Sequence, residues 1–395
     1  MNSGREVVVL SGVRTAIGDY GGGLKDIAPT ELAAKVIREA VGRAKISAED
    51  VGHVVVGNVI HTEPKDMYIS RVATINAGLP KETPALTLNR LCGSGLQAIV
   101  SAAQAIALGD AEVAVGGGVE SMSRGAYALP SARWGARMGD AQILDMMVGA
   151  LTDPFDTVHM GITAENVAAK WEISRQQQDE MALESNRRAI HAIQKGHFKD
   201  QILPIELKTR KGTVVVDTDE HPRADASLES LGKLKTVFKS DGTVTAGNAS
   251  GINDGAAAVV LMERKAAEKR GLKPLARLVA YAHAGVDPKY MGIGPVPAVK
   301  KVMERAGLRV GDMDVIESNE AFAAQACAVA KDLGFDLKKV NPNGGAIALG
   351  HPIGATGCIL TVKAIYELQR AGGRYGLVTM CIGGGQGIAA VFERL

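Results

Sequence analysis

The sequence has only four cysteines, and no two of them form a C-x-x-C pair. Cys92, Cys327, Cys358 and Cys381 are widely spaced, which speaks against a disulfide framework and against a zinc site. Aromatic residues are scarce, at 4%. The net charge of +2 gives no electrostatic case for nucleic acid or for an acidic membrane surface. No uncharged apolar run approaches the roughly 20 residues of a membrane span. The first six residues lead straight into an apolar run at 7–10, without a signal or transit pattern. The expectation is a cytoplasmic protein with no nucleic-acid partner, no membrane partner and no metal.

What is abundant is glycine, with 47 residues, so tight turns and close backbone approach matter more than aromatic packing. Hydrophobic residues at 46% and charged residues at 22% fit a soluble globular enzyme. A chain of 395 residues exceeds one ordinary core, so two or more domains are expected.

The most informative stretch is Asn89-Arg90-Leu91-Cys92-Gly93-Ser94-Gly95-Leu96-Gln97. Residues 96–108 read as a helix with no charge and only Gln97, Ser101 and Gln104 polar, closed by Gly109. A helix apolar nearly all round is buried on several sides. Cys92 stands at its N-terminal end, where free N–H groups and the macrodipole favour an anion and lower a thiol pKa. That suits a nucleophile, although most free cysteines are small buried hydrophobes.

Along the chain, strands are expected at 7–10, 51–59, 86–88, 113–115, 275–281, 314–317 and 375–380. Helices are expected at 28–44, 263–270 and from the turn after His351 to about 370. The alternation implies a mostly parallel sheet with helices on its faces. Residues 61–71 read as polar and irregular. Residues 123–243 are more charged, with a basic stretch at 208–211 and one well-signalled helix between Ser174 and Gly196. They read as an insertion able to carry substrate contacts. The divisions are 1–270, containing that insertion, and 271–395. The order of reactive residue, Gly-rich turn, buried helix, strand and glycine run occurs at Cys92 and again at His351, an internal repeat. Two such units suggest two sheets packed around a central helix layer.

Four places gather chemistry at strand ends or helix starts: Cys92, Asn319-Glu320, His351 and Cys381. Each has an ordinary alternative. Asn319 can cap the following helix, His351 can be a loop histidine, and Cys381 can be a packing residue. Cys327 and Cys358 lie in apolar helices and read as packing. The run Gly292-Ile293-Gly294-Pro295 lacks a helix start after it and is set aside as a nucleotide loop. Taken together, a thiol nucleophile, an imidazole base, a second thiol as acid/base and Gly-rich backbone for an oxyanion hole fit acyl transfer coupled to carbon–carbon bond chemistry.

These stretches resemble the thiolase family along essentially the whole chain. The motifs are NRLCGSGLQA at Cys92, GGGVESMS at Glu120, HMGITAENVA at His159 and VTAGNASGINDGAAA at Ser250. They continue with NEAFAAQA at Asn319, NPNGGAIALGHPIGATG at His351 and CIGGGQG at Cys381. The likeness is strongest to bacterial biosynthetic β-ketothiolases, the acetyl-CoA acetyltransferases. It implies a five-layer α-β-α-β-α fold of two repeated α/β halves, assembled as a homotetramer. It implies coenzyme A thioesters as substrates, no prosthetic group, and an inserted loop subdomain that helps to bind coenzyme A. Cys92 would be acylated, His351 would activate it, and Cys381 would be the acid/base. Asn319 would position a water that, with His351, stabilises a thioester oxygen or enolate. The N–H groups of Cys92 and Gly383 would form the second oxyanion hole. Leu151, His159, Met160, Arg223, Ser250, Ala321 and Phe322 match positions that contact coenzyme A or the acyl group.

One departure stands out. Where many members carry a Gly-Gln-Asn-Pro-Ala-Arg-like loop, this chain has residues 61–71 with Met67 and Tyr68, so tolerance of longer acyl chains is expected. A decarboxylating ketoacyl synthase fits less well, because Cys381-Ile382-Gly383 speaks against it. A cysteine hydrolase needs neither Cys381 nor the insertion. A non-catalytic relative should have lost Cys92, His351 or Cys381.

Overall fold

The computed structural model describes residues 4–210 and 212–395, without the side chain of Thr209. The first three residues and Lys211, part of the basic stretch, lie outside the described residues.

The first half begins with β1 (Val7–Thr15), α1 (Pro29–Arg43), β2 (His53–Gly57) and α2 (Ile69–Asn76). It continues with β3 (Ala85–Leu88), α3 (Ser94–Leu108) and β4 (Val113–Ser121). A long excursion holds α4 (Met160–Lys170) and α5 (Arg175–Lys195) before β5 (Asn253–Glu263) closes the half. The second half runs β6 (Ala276–Gly285), α6 (Pro295–Ala306), β7 (Val315–Ser318), α7 (Ala323–Leu333), α8 (Ile353–Ala371), β8 (Tyr375–Ile382) and β9 (Gln386–Arg394).

The strand path is β7-β8-β9-β6-β1-β5-β4-β2-β3. Within the first half β2 and β4 pair in parallel, and β5 lies antiparallel between β4 and β1. The second half repeats this with β7, β8, β9 and β6. The internal repeat is therefore topological, with α3 and α8 as equivalent helices before β4 and β8.

Two expectations change. The sheet is mixed rather than mostly parallel. β8 and β9 are joined by a three-glycine hairpin, and β5 is reached by an excursion of over a hundred residues, so neither follows a helical crossover. The two sheets are also not separate. They meet through a two-residue antiparallel contact, Val8 with Arg277 and Val9 with Ala276, which makes one continuous ladder.

α3 and α8 lie between the halves, packed on each other and on strands of both. α1 and α2 cover the outer face of the first half, and α6 covers that of the second, next to α7. This gives the five α-β-α-β-α layers. β1, β4 and β5 are buried at every position, as strands covered on both faces must be. The central helices touch backbone to backbone. A Cβ on Gly95 would come within 2.7 Å of Cys358 N, and one on Gly357 within 2.3 Å of Leu96 N.

Several boundaries differ from the sequence reading. The stretch read as irregular at 61–71 becomes a 3-10 turn, Pro64–Tyr68, and then α2. A helix does start at Pro295, contrary to expectation, and Gly294 is there for a different reason. A Cβ on it would strike the Gln386 carbonyl of β9. The Ser174 capping box and the Gly196 stop are present as read. Leu91–Leu108 is apolar enough to raise a membrane span, but most of it is buried. The 15 residues of α3 rise about 22 Å, short of the roughly 30 Å hydrocarbon core.

Candidate active site

Cys92 sits in a tight turn between β3 and α3, two residues ahead of the helix. The turn is strained at Leu91, whose φ of 45° lies in the left-handed region that a branched side chain avoids. Three hydrogen bonds hold it there. Leu91 N–H donates to Asn89 Oδ1 (2.8 Å), Arg90 N–H to Ser94 Oγ (2.8 Å), and Ser94 Oγ to the Leu91 carbonyl (2.6 Å). Asn89 and Ser94 thus fix the backbone on either side of Cys92, a role that the motif contains but that the residue types alone did not announce.

The Cys92 side chain is half-buried. Protein atoms crowd the sulfur, and burial pushes its pKa up to about 11, although N–H groups of Gly383 and of Cys92 itself pull the other way and the nearby Glu120 carboxyl adds to the rise. This reverses the expected lowering. A helix N-terminus offers a fraction of a charge, whereas removal of water penalises the whole anion. Glu120 is the penultimate residue of β4 and is fully buried. It accepts from Ile60 N (3.0 Å), Val59 N (3.2 Å), Gly354 N (2.8 Å) and Asn58 Nδ2 (3.0 Å), so it ties the Cys92 side of the site to the start of α8. Burial nonetheless raises its pKa to about 8.

His351 lies just before α8. Its N–H donates to Asn253 Oδ1 (3.0 Å). Its Nδ1 is 2.7 Å from Thr356 Oγ1, and that hydroxyl spends its one proton on the Pro352 carbonyl (2.9 Å). Thr356 therefore accepts, Nδ1 carries the hydrogen, and Nε2 is left as the basic nitrogen. Burial lowers the His351 pKa to about 4. Asn319 Nδ2 faces Nε2 at 3.4 Å. Asn319 does not cap the next helix, whose N-cap is Phe322; it is fully buried instead.

Cys381 is the penultimate residue of β8, which runs two residues past the end read from the sequence, and it is fully buried. Burial, together with Cys92 nearby, raises its pKa strongly. Gly383 opens the hairpin, and a Cβ there would be 2.8 Å from Met160 Cε and 3.3 Å from Leu91 Cδ1.

The contact residues divide. Met160, Ala321 and Phe322 pack in one cluster with Cys381, joined by Phe238. His159 caps α4 by accepting from Gly161 N (3.0 Å) and stacks on Phe238 at 4.5 Å. Leu151 packs with Cys92, Ile60, Met122 and Ile353. Ser250 N–H donates to the Ala321 carbonyl (3.0 Å). Arg223 stands apart: it is exposed, and its backbone N–H donates to Asn186 Oδ1. Met67 and Tyr68 are exposed and belong to neither cluster. Cys327 and Cys358 are in α7 and α8, and burial raises the Cys327 pKa to about 12 and that of Cys358 strongly. A cavity of about 680 Å³ between α5 and α7 borders Cys327 but none of Cys92, His351 or Cys381. Among the described residues no His, Cys, Asp or Glu cluster is grouped to hold a metal ion.

With Cys381 and His351 buried and Cys92 half-buried, these thiols and this imidazole suit transfer of an acyl group through sulfur, which places the chain with the thiol-dependent acyltransferases. Known proteins narrow the class. Residues 7–265 match the family model for the thiolase N-terminal domain, and residues 272–394 match that for the thiolase C-terminal domain. The chain belongs to the thiolase family, acyltransferases that make and cleave 3-ketoacyl-CoA by Claisen condensation and thiolysis. It is 70% identical over 392 residues to Beta-ketothiolase BktB of Cupriavidus necator, covering 99% of this chain and 100% of that one. The acetyl-CoA acetyltransferase of Bacillus anthracis shares its fold at a TM-score of 0.97, with 48% identity over 99% of both chains. Human mitochondrial 3-ketoacyl-CoA thiolase, solved in complex with CoA, aligns at a TM-score of 0.96, with 46% identity over 99% of this chain and 98% of that one.

Proposed function

We propose that this β-ketothiolase works by a ping-pong route through acyl-Cys92, with acetyl-CoA and short acyl-CoA as partners in condensation. The observation that carries the reading is the convergence of the groups: Cys92 lies within electrostatic reach of Cys381, Gly383 N–H donates to the Cys92 sulfur, and Glu120 ties that side to the start of α8, where Thr356 leaves His351 Nε2 as the basic nitrogen. In thiolysis Cys92 gives its proton to His351 Nε2 as its sulfur attacks the 3-keto carbon. The carbon–carbon bond breaks, and the α-carbon takes the proton of Cys381, so acetyl-CoA departs. CoA then attacks acyl-Cys92. Its thiol proton returns to Cys381, and His351 hands its proton back to the Cys92 sulfur. Condensation is the reverse. A buried, protonated Cys381 is thus armed for the cleavage direction. The N–H groups of Gly383 and Cys92, already directed at the Cys92 sulfur, serve as one oxyanion hole. Asn319, with His351 and a water, serves the other.

CoA thioesters are held by Leu151, His159, Met160, Arg223, Ser250, Ala321 and Phe322, and no prosthetic group takes part. The division at about 270, with the insertion at 123–243, is the domain reading. It is supported by the repeated strand order and by the gap between the two family models. The expected oligomer is a homotetramer; what supports association of copies is the exposure of Trp134, Met138 and Ile143 between the paired strands Tyr127–Ala128 and Leu144–Asp145. The cytoplasm is the proposed compartment.

Steady-state thiolysis of 3-ketoacyl-CoA substrates of graded length tests the reading. Turnover of acetoacetyl-CoA and also of the 3-ketovaleryl and 3-ketohexanoyl thioesters is expected. Turnover of none of them would refute it, and turnover of acetoacetyl-CoA alone would remove the longer-chain part.

A further inference from the structure

Behind His351 and Asn319, the central helix α8 carries a buried charge paired with Glu317 and within electrostatic reach of Glu320. Lys363 is 2% exposed. Its ammonium donates to Glu317 Oε2 in β7 (2.7 Å) and to the Gly344 carbonyl (2.7 Å). An ammonium has three N–H groups, and among the described residues nothing accepts the third. A buried ion pair of this kind is weak evidence for stability, since an apolar pair of similar volume often does as well.

Asn319 has the complementary gap. Its backbone N–H donates to the Thr379 carbonyl, its Nδ2 faces His351, and its buried Oδ1 has no partner among the described residues. Lys363 and Asn319 line the same cavity, about 10 Å³ in volume, whose wall is mostly apolar, from Ile17, Ala346, Leu349, Ile359 and Leu360. That is about the space one water needs, and Lys363 and Asn319 are the lining residues with an unmet donor and an unmet acceptor to offer it. Glu317 Oε1, which also lacks a partner, is not on the cavity wall.

We propose that Lys363 is a positioning residue for the thioester chemistry: its third N–H, relayed through one water in this cavity, holds Asn319 Oδ1 and keeps Asn319 Nδ2 turned toward His351. The inference rests on the β-ketothiolase reading of the site. A charged donor makes the stronger hydrogen bond, so the relay fixes the amide in one sense. Turned over, the amide would set its oxygen against the basic Nε2, and the imidazole would have to carry its hydrogen there to relieve the contact. The base for Cys92 would then be lost, while the CoA contacts would remain.

The test is the paired variant Glu317→Gln with Lys363→Met, which removes both partners of the ion pair together; buried Glu320, whose charged form Lys363 also favours, then holds its proton more tightly. Acetoacetyl-CoA thiolysis is expected to lose kcat by about 10- to 100-fold, the scale of a misplaced catalytic group, with KM changed less than about threefold. Added to Asn319→Ala, the pair is expected to cost nothing more, because both act through one amide. An unchanged kcat, or losses that multiply with Asn319→Ala, would overturn the proposal. Should the paired variant not fold, a crystal structure of the unaltered enzyme decides alone. A water within hydrogen-bond reach of both Lys363 Nζ and Asn319 Oδ1 supports the relay, and a site without one refutes it. Failure of the unaltered enzyme to cleave acetoacetyl-CoA would count against the functional reading, and the water would still be present or absent on its own terms.

Discussion

Cys92 alkylation by iodoacetamide, followed against pH, probes the resting charge of the site. Only the thiolate reacts, so the rate reports its population. The Cys92 pKa rises from 9.0 to about 11 through burial. Two units correspond to about 2.7 kcal/mol against the anion, or about 100-fold less thiolate at neutral pH. A more basic thiolate is also more nucleophilic, by about tenfold over two units, so the net expectation is a rate about tenfold below that of an exposed cysteine. Between pH 7 and 9 the rate should climb about tenfold per unit with no plateau. Peptide mapping separates Cys92 from Cys327, Cys358 and Cys381. His351→Gln should leave the slope unchanged, because a His351 with its pKa near 4 is neutral throughout and supplies no charge to the sulfur. A plateau with an apparent pKa below about 7.5 that His351→Gln abolishes would mean a thiolate–imidazolium pair, and the neutral-site reasoning would be wrong.

Two other outcomes are expected. Arg223→Ala should raise KM for the CoA substrate by up to about tenfold with kcat nearly unchanged, since Arg223 is exposed and outside the clusters that hold Cys92 and Cys381; a large fall in kcat at constant KM would place it in the chemistry. His351 protonates near 6.5 when unfolded and near 4 when folded, so the unfolded chain binds more protons between these values and stability falls as pH drops through that window. The loss levels off below about 4 at roughly 3 kcal/mol. Glu120 and Glu317, raised to about 8 and about 7 by burial, act in the opposite sense as pH rises, so the His351 share is read from urea unfolding of the wild type against His351→Gln across pH 4–7. Parallel curves for the two proteins would remove the assigned shift.

Much of this site was legible in the sequence, and the misses have physical reasons. The uncharged run after Cys92 announced a buried helix because no surface helix can be apolar all round. The 61–71 segment hid α2 because two of its buried positions are hydroxyl residues. Ser70 Oγ donates to the Leu86 carbonyl and Thr74 Oγ1 to the Ser70 carbonyl, so the inward face does not read as apolar. The start of α6 at Pro295 was missed because Gly294 offers no side-chain cap, although Pro at the first position is itself a start signal. The Cys92 shift came out with the wrong sign because the side chains packed with it, Ile60, Met122, Leu151 and Ile353, and the Glu120 carboxyl are remote in sequence. Thr356, which fixes the His351 tautomer, sits five residues on in the first turns of α8, and only the bend before that helix brings the two together.

The division of labour between the two thiols is the central claim, and one experiment addresses it most directly. Wild type and Cys381→Ala are mixed with acetyl-CoA, quenched in acid and mapped by mass, beside acetoacetyl-CoA thiolysis in the same preparations. Acid–base help at carbon is worth roughly 10²–10⁴-fold. The expected result is acetyl on the Cys92 peptide in both proteins, with thiolysis lost by about that factor in Cys381→Ala. Acetyl on Cys327 or Cys358, or near-wild-type thiolysis without Cys381, would contradict the account.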